Sequence, residues 1–76
     1  MIIYSTKPVA TWTVEEVVDW SRKVLYFLKE DQEILRKQEV DGRKLLALKD
    51  LDAVLKILPY GPATVLLTAI EKMKKS

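Results

Sequence analysis

The stretch EVDGRKLLAL, residues 39–48, decides how the fold of this 76-residue chain is interpreted. Its Asp41-Gly42 pair stands directly before a run of leucines, where it could be either a chemical site or the boundary between two helices. A glycine tolerates a positive φ angle and can end a helix, while an aspartate can cap the next helix through its side chain. The pair therefore predicts a helix boundary, and the leucines predict a short apolar helix after it.

The composition predicts one compact domain that folds alone. Hydrophobic residues make up 49% of the chain and charged residues 32%, as in globular proteins. Cysteine and histidine are absent, which excludes disulfides, thiolate nucleophiles and the common zinc-ligand patterns. We therefore expect no metal, no cofactor, no small-molecule substrate and no enzymatic activity.

No apolar run approaches the roughly 20 residues of a membrane span. An intracellular location is expected, in the cytoplasm, with the nucleus as the alternative.

The first part of the chain predicts a lead-in and one amphipathic helix. Residues 1–10 have no helical period and are expected to be extended and partly disordered, so the domain itself is assigned to residues 11–76. Thr13, followed three residues later by Glu16, matches a capping box at a helix start. From there apolar residues recur at helical spacing as far as Leu28.

The remainder predicts four further helices. The charged stretch KEDQE, residues 29–33, interrupts the apolar stripe, and a break is expected between Tyr26 and Asp31. Ile34, Leu35 and Gln38 predict the second helix, and the third follows Asp41-Gly42. Asp50 is expected to cap the fourth, and LPYGPA, residues 58–63, is expected to be a turn. Pro62 suits the first turn of the last helix because its missing N–H is harmless there. The buried stripe predicted for that helix consists of Val65, Leu66, Ala69, Ile70 and Met73.

The arrangement of these motifs resembles a sterile alpha motif (SAM) domain over residues 11–76. WTVEEVVDW, residues 12–20, is similar to the opening of that family, and EVDGRKLLAL to its Asp-Gly and leucine signature. Gly61 is similar to the glycine that opens the long terminal helix. The resemblance implies an all-α fold, a compact five-helix SAM-like bundle with a long C-terminal helix. It also implies a protein association module without catalytic activity, within a larger protein.

The resemblance further implies two protein-binding surfaces. The end-helix surface lies at the start of the fifth helix, and the mid-loop surface is centred on the third and fourth helices. The end-helix surface comprises Lys56, Tyr60, Gly61, Pro62, Ala63 and Thr64. The mid-loop surface comprises Glu39, Asp41, Arg43, Lys44, Asp50 and Asp52. Replacement of Ala63 by glutamate is expected to block a partner at the end-helix surface while sparing the fold.

Two surfaces at different places on one chain predict head-to-tail association with another SAM-type or helical domain. Because the mid-loop surface mixes cations with its acids, charge complementarity between copies is blunted. Weak self-association or a heterotypic partner is therefore expected, rather than a tight polymer. Tyr60 lies in a proline-glycine turn, and the sequence alone leaves open whether its side chain is exposed.

Binding of an RNA hairpin is the alternative function. Some SAM domains bind RNA through a basic patch at the start of the last helix, but PYGPATVLLTA, residues 59–69, contains no lysine or arginine. The two tryptophans and LYFL, residues 25–28, could stack on bases. The alternative is core packing for Trp20 and Phe27 and a lid over the core for Trp12. The net charge of +2 is too weak to indicate nucleic acid by itself.

Overall fold

The computed structural model describes residues 7–75 and contains five α-helices after a short 3-10 turn. The elements are the 3-10 turn Val9–Thr11, α1 (Val14–Lys23), α2 (Lys29–Lys37), α3 (Gly42–Ala47), α4 (Leu51–Leu55) and α5 (Tyr60–Lys75). No strand occurs between residues 7 and 75. The predicted all-α, five-helix bundle with a long C-terminal helix is confirmed.

One core holds these elements together. Helix α1 packs on α2, α4 packs on α5, and α3 packs on the 3-10 turn. The rings of Trp12 and Trp20 lie in the core with their centroids 5.6 Å apart and tilted by 56°. Both tryptophans are at least 95% buried, so they stabilise the domain by removing large apolar surfaces from water. The other buried apolar residues are Val17, Val18, Phe27, Leu35, Val40, Leu45, Leu48, Val54, Leu58, Ala63, Leu66 and Ile70.

The prediction of an extended lead-in over residues 1–10 is wrong for Val9 and Ala10, which lie in the 3-10 turn. The N–H of Thr11 donates to the carbonyl of Pro8 (2.9 Å), and the N–H of Trp12 donates to that of Val9 (3.0 Å). These bonds form a 3-10 turn instead of an extended chain, and the Val9 side chain packs against the core. The folded unit thus begins before Thr11. Residues 1–6 of the predicted lead-in lie outside the described residues.

The capping box at the start of α1 is confirmed. The Glu16 N–H donates to Thr13 Oγ1 (3.2 Å), and the Thr13 N–H donates back to Glu16 Oε1 (2.9 Å). The Glu16 carboxylate also accepts from the ammonium of Lys7. The Lys7 bond, and after it the bond from the Thr13 backbone, lowers the pKa of Glu16 because both favour the charged form. One side chain therefore ties the N-terminal segment to α1.

Helices α1 and α2 are also joined by a two-point ion pair. The Arg36 guanidinium donates from Nε to Glu15 Oε2 (2.8 Å) and from Nη2 to Glu15 Oε1 (2.9 Å). The hydrogen bond to Arg36 lowers the pKa of Glu15, and the two carboxylates of Glu15 and Glu33 raise the pKa of Arg36. Since this pair is exposed to solvent, it contributes to the orientation of the helices more than to stability.

Helix α1 ends earlier than the apolar pattern indicates. Its last residue is Lys23, and the chain then runs through an irregular link before α2. Tyr26 in this link has a φ angle of 59°, in the left-handed region, which stops the helix. Leu28 is 67% exposed and does not continue the buried stripe, so that prediction is wrong.

The Asp41-Gly42 pair is a helix boundary, but its glycine acts by a different mechanism from the one predicted. Asp41 caps α3 as expected, with its Oδ1 accepting from the Lys44 N–H (2.9 Å). Gly42 does not have a positive φ angle. Its N–H donates to the carbonyl of Trp12 (2.9 Å), and an added Cβ would lie 1.7 Å from the carbonyl oxygen of Val9. Gly42 is therefore required for close contact between α3 and the N-terminal turn.

Helix α2 is terminated by Glu39, which follows its C-cap Gln38, instead of by a glycine. Glu39 has a φ angle of 52°, its N–H donates to the carbonyl of Arg36 (3.1 Å), and the Val40 N–H donates to that of Leu35 (3.0 Å). These two bonds form a Schellman motif, whose left-handed position usually holds glycine. Glu39, which stops α2, thus lies three residues before Gly42, the glycine that was predicted to stop it.

Replacing Asp41 with alanine is expected to lower the free energy of unfolding by about 1 kcal/mol, because the Lys44 N–H loses its acceptor. Asp41→Asn keeps a capping oxygen and is expected to cost only a few tenths of that, about 0.3 kcal/mol. Urea denaturation followed by circular dichroism measures both variants. Equal losses in the two variants would contradict a capping role.

Candidate interaction surfaces

The start of α5 is formed by the residues that were predicted as a turn. Helix α5 begins at Tyr60, so Tyr60, Gly61 and Pro62 belong to its first turn, and the link from α4 is shorter than predicted. The Ala63 N–H donates to the carbonyl of Pro59 (2.9 Å), which is the first bond of the helix. Pro62 lies in the first turn, as expected.

The end-helix surface keeps four residues at the start of α5, together with Lys56. The four are Tyr60, Gly61, Pro62 and Thr64. Tyr60 is 67% exposed, which settles the question that the sequence left open. Gly61 is exposed, and an added Cβ would meet nothing within 4 Å. Pro62 and Thr64 are half-buried, and the Thr64 hydroxyl donates to the carbonyl of Gly61 (2.8 Å). Together these residues present an aromatic ring beside a flat, open stretch of backbone.

Ala63 does not belong to this surface. Its exposed fraction is 0%, and it lies in the core cluster. The helical period explains this, because Ala63, Leu66 and Ile70 share the face of α5 that points inward. The expectation that Ala63→Glu would spare the fold is therefore wrong.

The electrostatics of the end-helix surface favour an anion. Pro62 has no N–H and the Ala63 N–H is paired, so a partner would reach the backbone donors of Tyr60 and Gly61. The helix dipole adds partial positive charge at this end. Lys56, which is exposed at the end of α4, adds a full charge nearby in the chain. A carboxylate is the group that such a surface attracts.

On the mid-loop surface, two of the four acids also have structural roles. Asp41 caps α3, and Asp50 caps α4 by accepting from the Ala53 N–H (2.9 Å). A carboxylate has about four acceptor positions, so each cap can still accept from a partner. Glu39, Asp50 and Asp52 are exposed, while Asp41 is half-buried.

One of the two cations of the mid-loop surface, Lys44, also has a structural role. The Lys44 ammonium donates to the carbonyl of Gln38 (2.7 Å) and so helps to end α2. Arg43 is exposed on the first turn of α3. A partner would therefore meet acids from three segments, with Arg43 and Lys44 reducing their combined negative field.

The structure does not support base stacking by three of the aromatic residues for which it was considered, whereas the Tyr26 ring is 83% exposed. Trp12, Trp20 and Phe27 are buried in the core, where no nucleic-acid base can reach their faces. The first three turns of α5 carry no lysine or arginine.

Among residues 7–75, no helix is both long and apolar enough to cross a membrane. Within the same range, His, Cys, Asp and Glu residues form no group of three or more that could hold a metal ion.

A third surface was not predicted from the sequence. Val24 and Leu25, directly after α1, and residues 64–72 of α5 border an open groove of about 480 Å³. Val65, which was predicted in the buried stripe of α5, is 44% exposed in this groove, and Val24 is 39% exposed. Helical periodicity alone assigns these residues to the core, because it cannot show that α1 stops before it covers α5.

Comparison with known proteins relates this chain to short segments of larger proteins. It is 35% identical over 68 residues to Polycomb protein SCMH1 of Mus musculus, which covers 87% of this chain and 10% of that protein. It is 37% identical over 75 residues to Sex comb on midleg-like protein 4 of Mus musculus, which covers 95% of this chain and 18% of that protein. Polycomb protein SCMH1 of Homo sapiens gives 35% identity over 68 residues, with 87% and 10% covered.

No family model matches the chain, and no solved structure matches it. The chain spans 10 to 18% of the length of these curated relatives. The similarity extends over nearly the whole of this chain, so it concerns the helical bundle as a unit.

Proposed function

We propose that this chain is a SAM-type protein association domain without enzymatic activity, which binds another SAM-type helical domain head to tail. The observation that carries the proposal is the start of α5, where Tyr60 is 67% exposed and Gly61 is open to close approach. Tyrosine is enriched at protein interfaces, because its ring supplies apolar contact area and its hydroxyl a polar contact. The similarity to Polycomb protein SCMH1 and to Sex comb on midleg-like protein 4 supports the same class of function.

In the proposed complex, the mid-loop acids of one domain meet the start of α5 of the next. A carboxylate such as that of Asp52 would accept from the backbone of Tyr60 and Gly61, and each such contact contributes about 0.3 to 1 kcal/mol. Arg43 and Lys44 weaken this attraction between two copies of the same chain. We therefore propose weak self-association, and tighter binding of a heterotypic partner whose acids lack such neighbours.

The proposal includes a location. The similarity to a Polycomb protein supports the nucleus over the cytoplasm, within the intracellular location proposed from the absence of cysteine. A fluorescent fusion of the full-length parent protein that is excluded from nuclei would contradict this part.

Two variants that each disable one surface test the head-to-tail arrangement. Gly61→Glu places a carboxylate at the end-helix surface, and the fold should tolerate it because nothing lies within 4 Å and acids suit a first turn. Glu39→Lys combined with Asp52→Lys reverses two exposed acids of the mid-loop surface and leaves both caps in place. Each variant alone is expected to be monomeric by light scattering, and their mixture is expected to form a one-to-one complex that grows no further.

Ala10→Glu is the matched control, since it adds the same charge at an exposed residue outside both surfaces. It should associate as the unmodified chain does. If the chain associates and both surface variants still do so fully, or if their mixture stays monomeric, the assignment of the two surfaces is wrong.

A further inference from the structure

We propose that the N-terminal 3-10 turn positions one half of the mid-loop surface for partner binding, and that Val9 is the residue through which it does so. This inference rests on the head-to-tail function proposed above, and it adds a residue that belongs to neither association surface. In the proposed complex Val9 touches no partner and acts only through α3. It is therefore a positioning residue for the mid-loop surface.

The mid-loop surface is divided between two packing units of the domain. Asp50 and Asp52 lie at the start of α4, and α4 packs on α5. The other four residues lie beside or within α3, which packs on the N-terminal 3-10 turn. These four are Glu39, Asp41, Arg43 and Lys44. A partner that contacts both halves at once therefore requires α3 to be held in one place relative to α4.

Backbone atoms of the N-terminal turn fix the start of α3. The Gly42 N–H donates to the carbonyl of Trp12 (2.9 Å), and a Cβ added to Gly42 would lie 1.7 Å from the carbonyl oxygen of Val9. That Val9 carbonyl also accepts from the Trp12 N–H (3.0 Å), which fixes its direction. Since Asp41 and Arg43 are the chain neighbours of Gly42, the turn determines where the backbone of both residues lies.

The Val9 side chain holds the turn against the core. It is half-buried and packs on the core cluster, whereas the other two residues of the turn are exposed. Helix α3 has few other attachments, because it is six residues long and buries only Gly42 and Leu45, with Leu48 directly after it. A helix this short is not stable without packing. Its position therefore depends on the turn as well as on its leucines.

Loss of the Val9 contact is expected to affect the two association surfaces unequally. The end-helix surface lies on α5 and at the end of α4, and these two helices pack on each other. A displaced turn would move the start of α3 and leave this pair of helices in place. Val9 is therefore expected to influence binding through the mid-loop surface only. A purely structural role would lower the folded fraction of the whole domain and so weaken binding through both surfaces.

Val9→Asp, introduced into one copy of a two-copy complex at a time, tests the inference. The complex consists of the Gly61→Glu chain, which binds through its mid-loop surface, and the chain with Glu39→Lys and Asp52→Lys, which binds through its end-helix surface. In the Gly61→Glu copy, Val9→Asp is expected to weaken the complex about fivefold or more, measured by an NMR titration. In the other copy the loss should stay below about twofold. Ala10→Asp is the matched control, because it adds the same charge at the neighbouring exposed residue, and it should leave the affinity unchanged.

An amide proton spectrum first checks that each variant is folded. If Val9→Asp is not folded, Val9→Ala replaces it, since it removes only the methyl contacts with the core, and a loss of about twofold or more is expected in the Gly61→Glu copy alone. The inference is overturned if the Val9 variants weaken the complex equally from both copies, if they weaken it from neither, or if Ala10→Asp weakens it as much. A pair that fails to associate without any change at Val9 would instead contradict the head-to-tail function, and the binding role of Val9 would fall with it.

Discussion

Gly42→Ala is expected to lower the free energy of unfolding by about 3 kcal/mol or more, because the new methyl group would lie 1.7 Å from the carbonyl oxygen of Val9. The obstacle is backbone, so no side-chain rotation relieves it. The helix would have to move away, which also breaks the hydrogen bond from the Gly42 N–H to the Trp12 carbonyl. Thermal unfolding followed by circular dichroism should show a melting temperature lower by about 12 °C or more.

Gly61→Ala is the matched control for this prediction. Gly61 also lies in the first turn of a helix, but its added Cβ would meet nothing within 4 Å. Alanine has the higher helix propensity, so this variant is expected to gain up to about 1 kcal/mol. If the two variants unfold at the same temperature, the close contact between α3 and the N-terminal turn does not determine the role of Gly42.

Ala63→Glu is expected to unfold the domain at 25 °C. Ala63 is fully buried, and a glutamate there must either bury an unpaired charge or force the helices apart, at a cost of several kcal/mol. A domain of this size has roughly 5 kcal/mol to lose. An amide proton spectrum should collapse to the narrow dispersion of an unfolded chain.

Val65→Glu is the control for this second prediction, since it introduces the same side chain two residues along the same helix at a position that is 44% exposed. It should remain folded, with a change within about 1 kcal/mol. A folded Ala63→Glu variant with unchanged dispersion would mean that α5 is not packed as described. The collapse of Ala63→Glu would also explain any lost binding, which is why Gly61→Glu is the better probe of the end-helix surface.

The elements that could be predicted from the sequence are those specified by local patterns. The capping box of Thr13 and Glu16 and the two aspartate caps depend on side chains bonding to backbone three residues away, so spacing alone reveals them. The five helices follow from these caps together with the apolar periodicity between them.

The remainder depends on contacts between distant segments. Gly42 meets Val9 across more than thirty residues of chain, and nothing in the neighbourhood of Gly42 encodes this contact. The stops at Tyr26 and Glu39 use a left-handed residue where glycine is expected, so the composition gives no signal for them. The groove could not be predicted from the sequence for the same reason, because its existence depends on where α1 ends relative to α5.

The two association surfaces stay a prediction, and the structure shows only which of their residues are exposed. Their positions follow from the resemblance to a family, and the exposure of Tyr60, Gly61 and Lys56 fits them. Ala63 was included because it is small and adjacent in sequence. Only the face of α5 that packs on the core determines that it is buried.

Sedimentation velocity tests the association proposal most directly. The chain should be examined over a wide concentration range, at low and high salt, alone and together with the matching 68-residue segment of Polycomb protein SCMH1 of Mus musculus. The weight-average mass is expected to rise with concentration for the chain alone, more steeply with the second domain present, and less steeply at high salt. Constant monomer masses in every sample, including the mixture at the highest concentration, would contradict it.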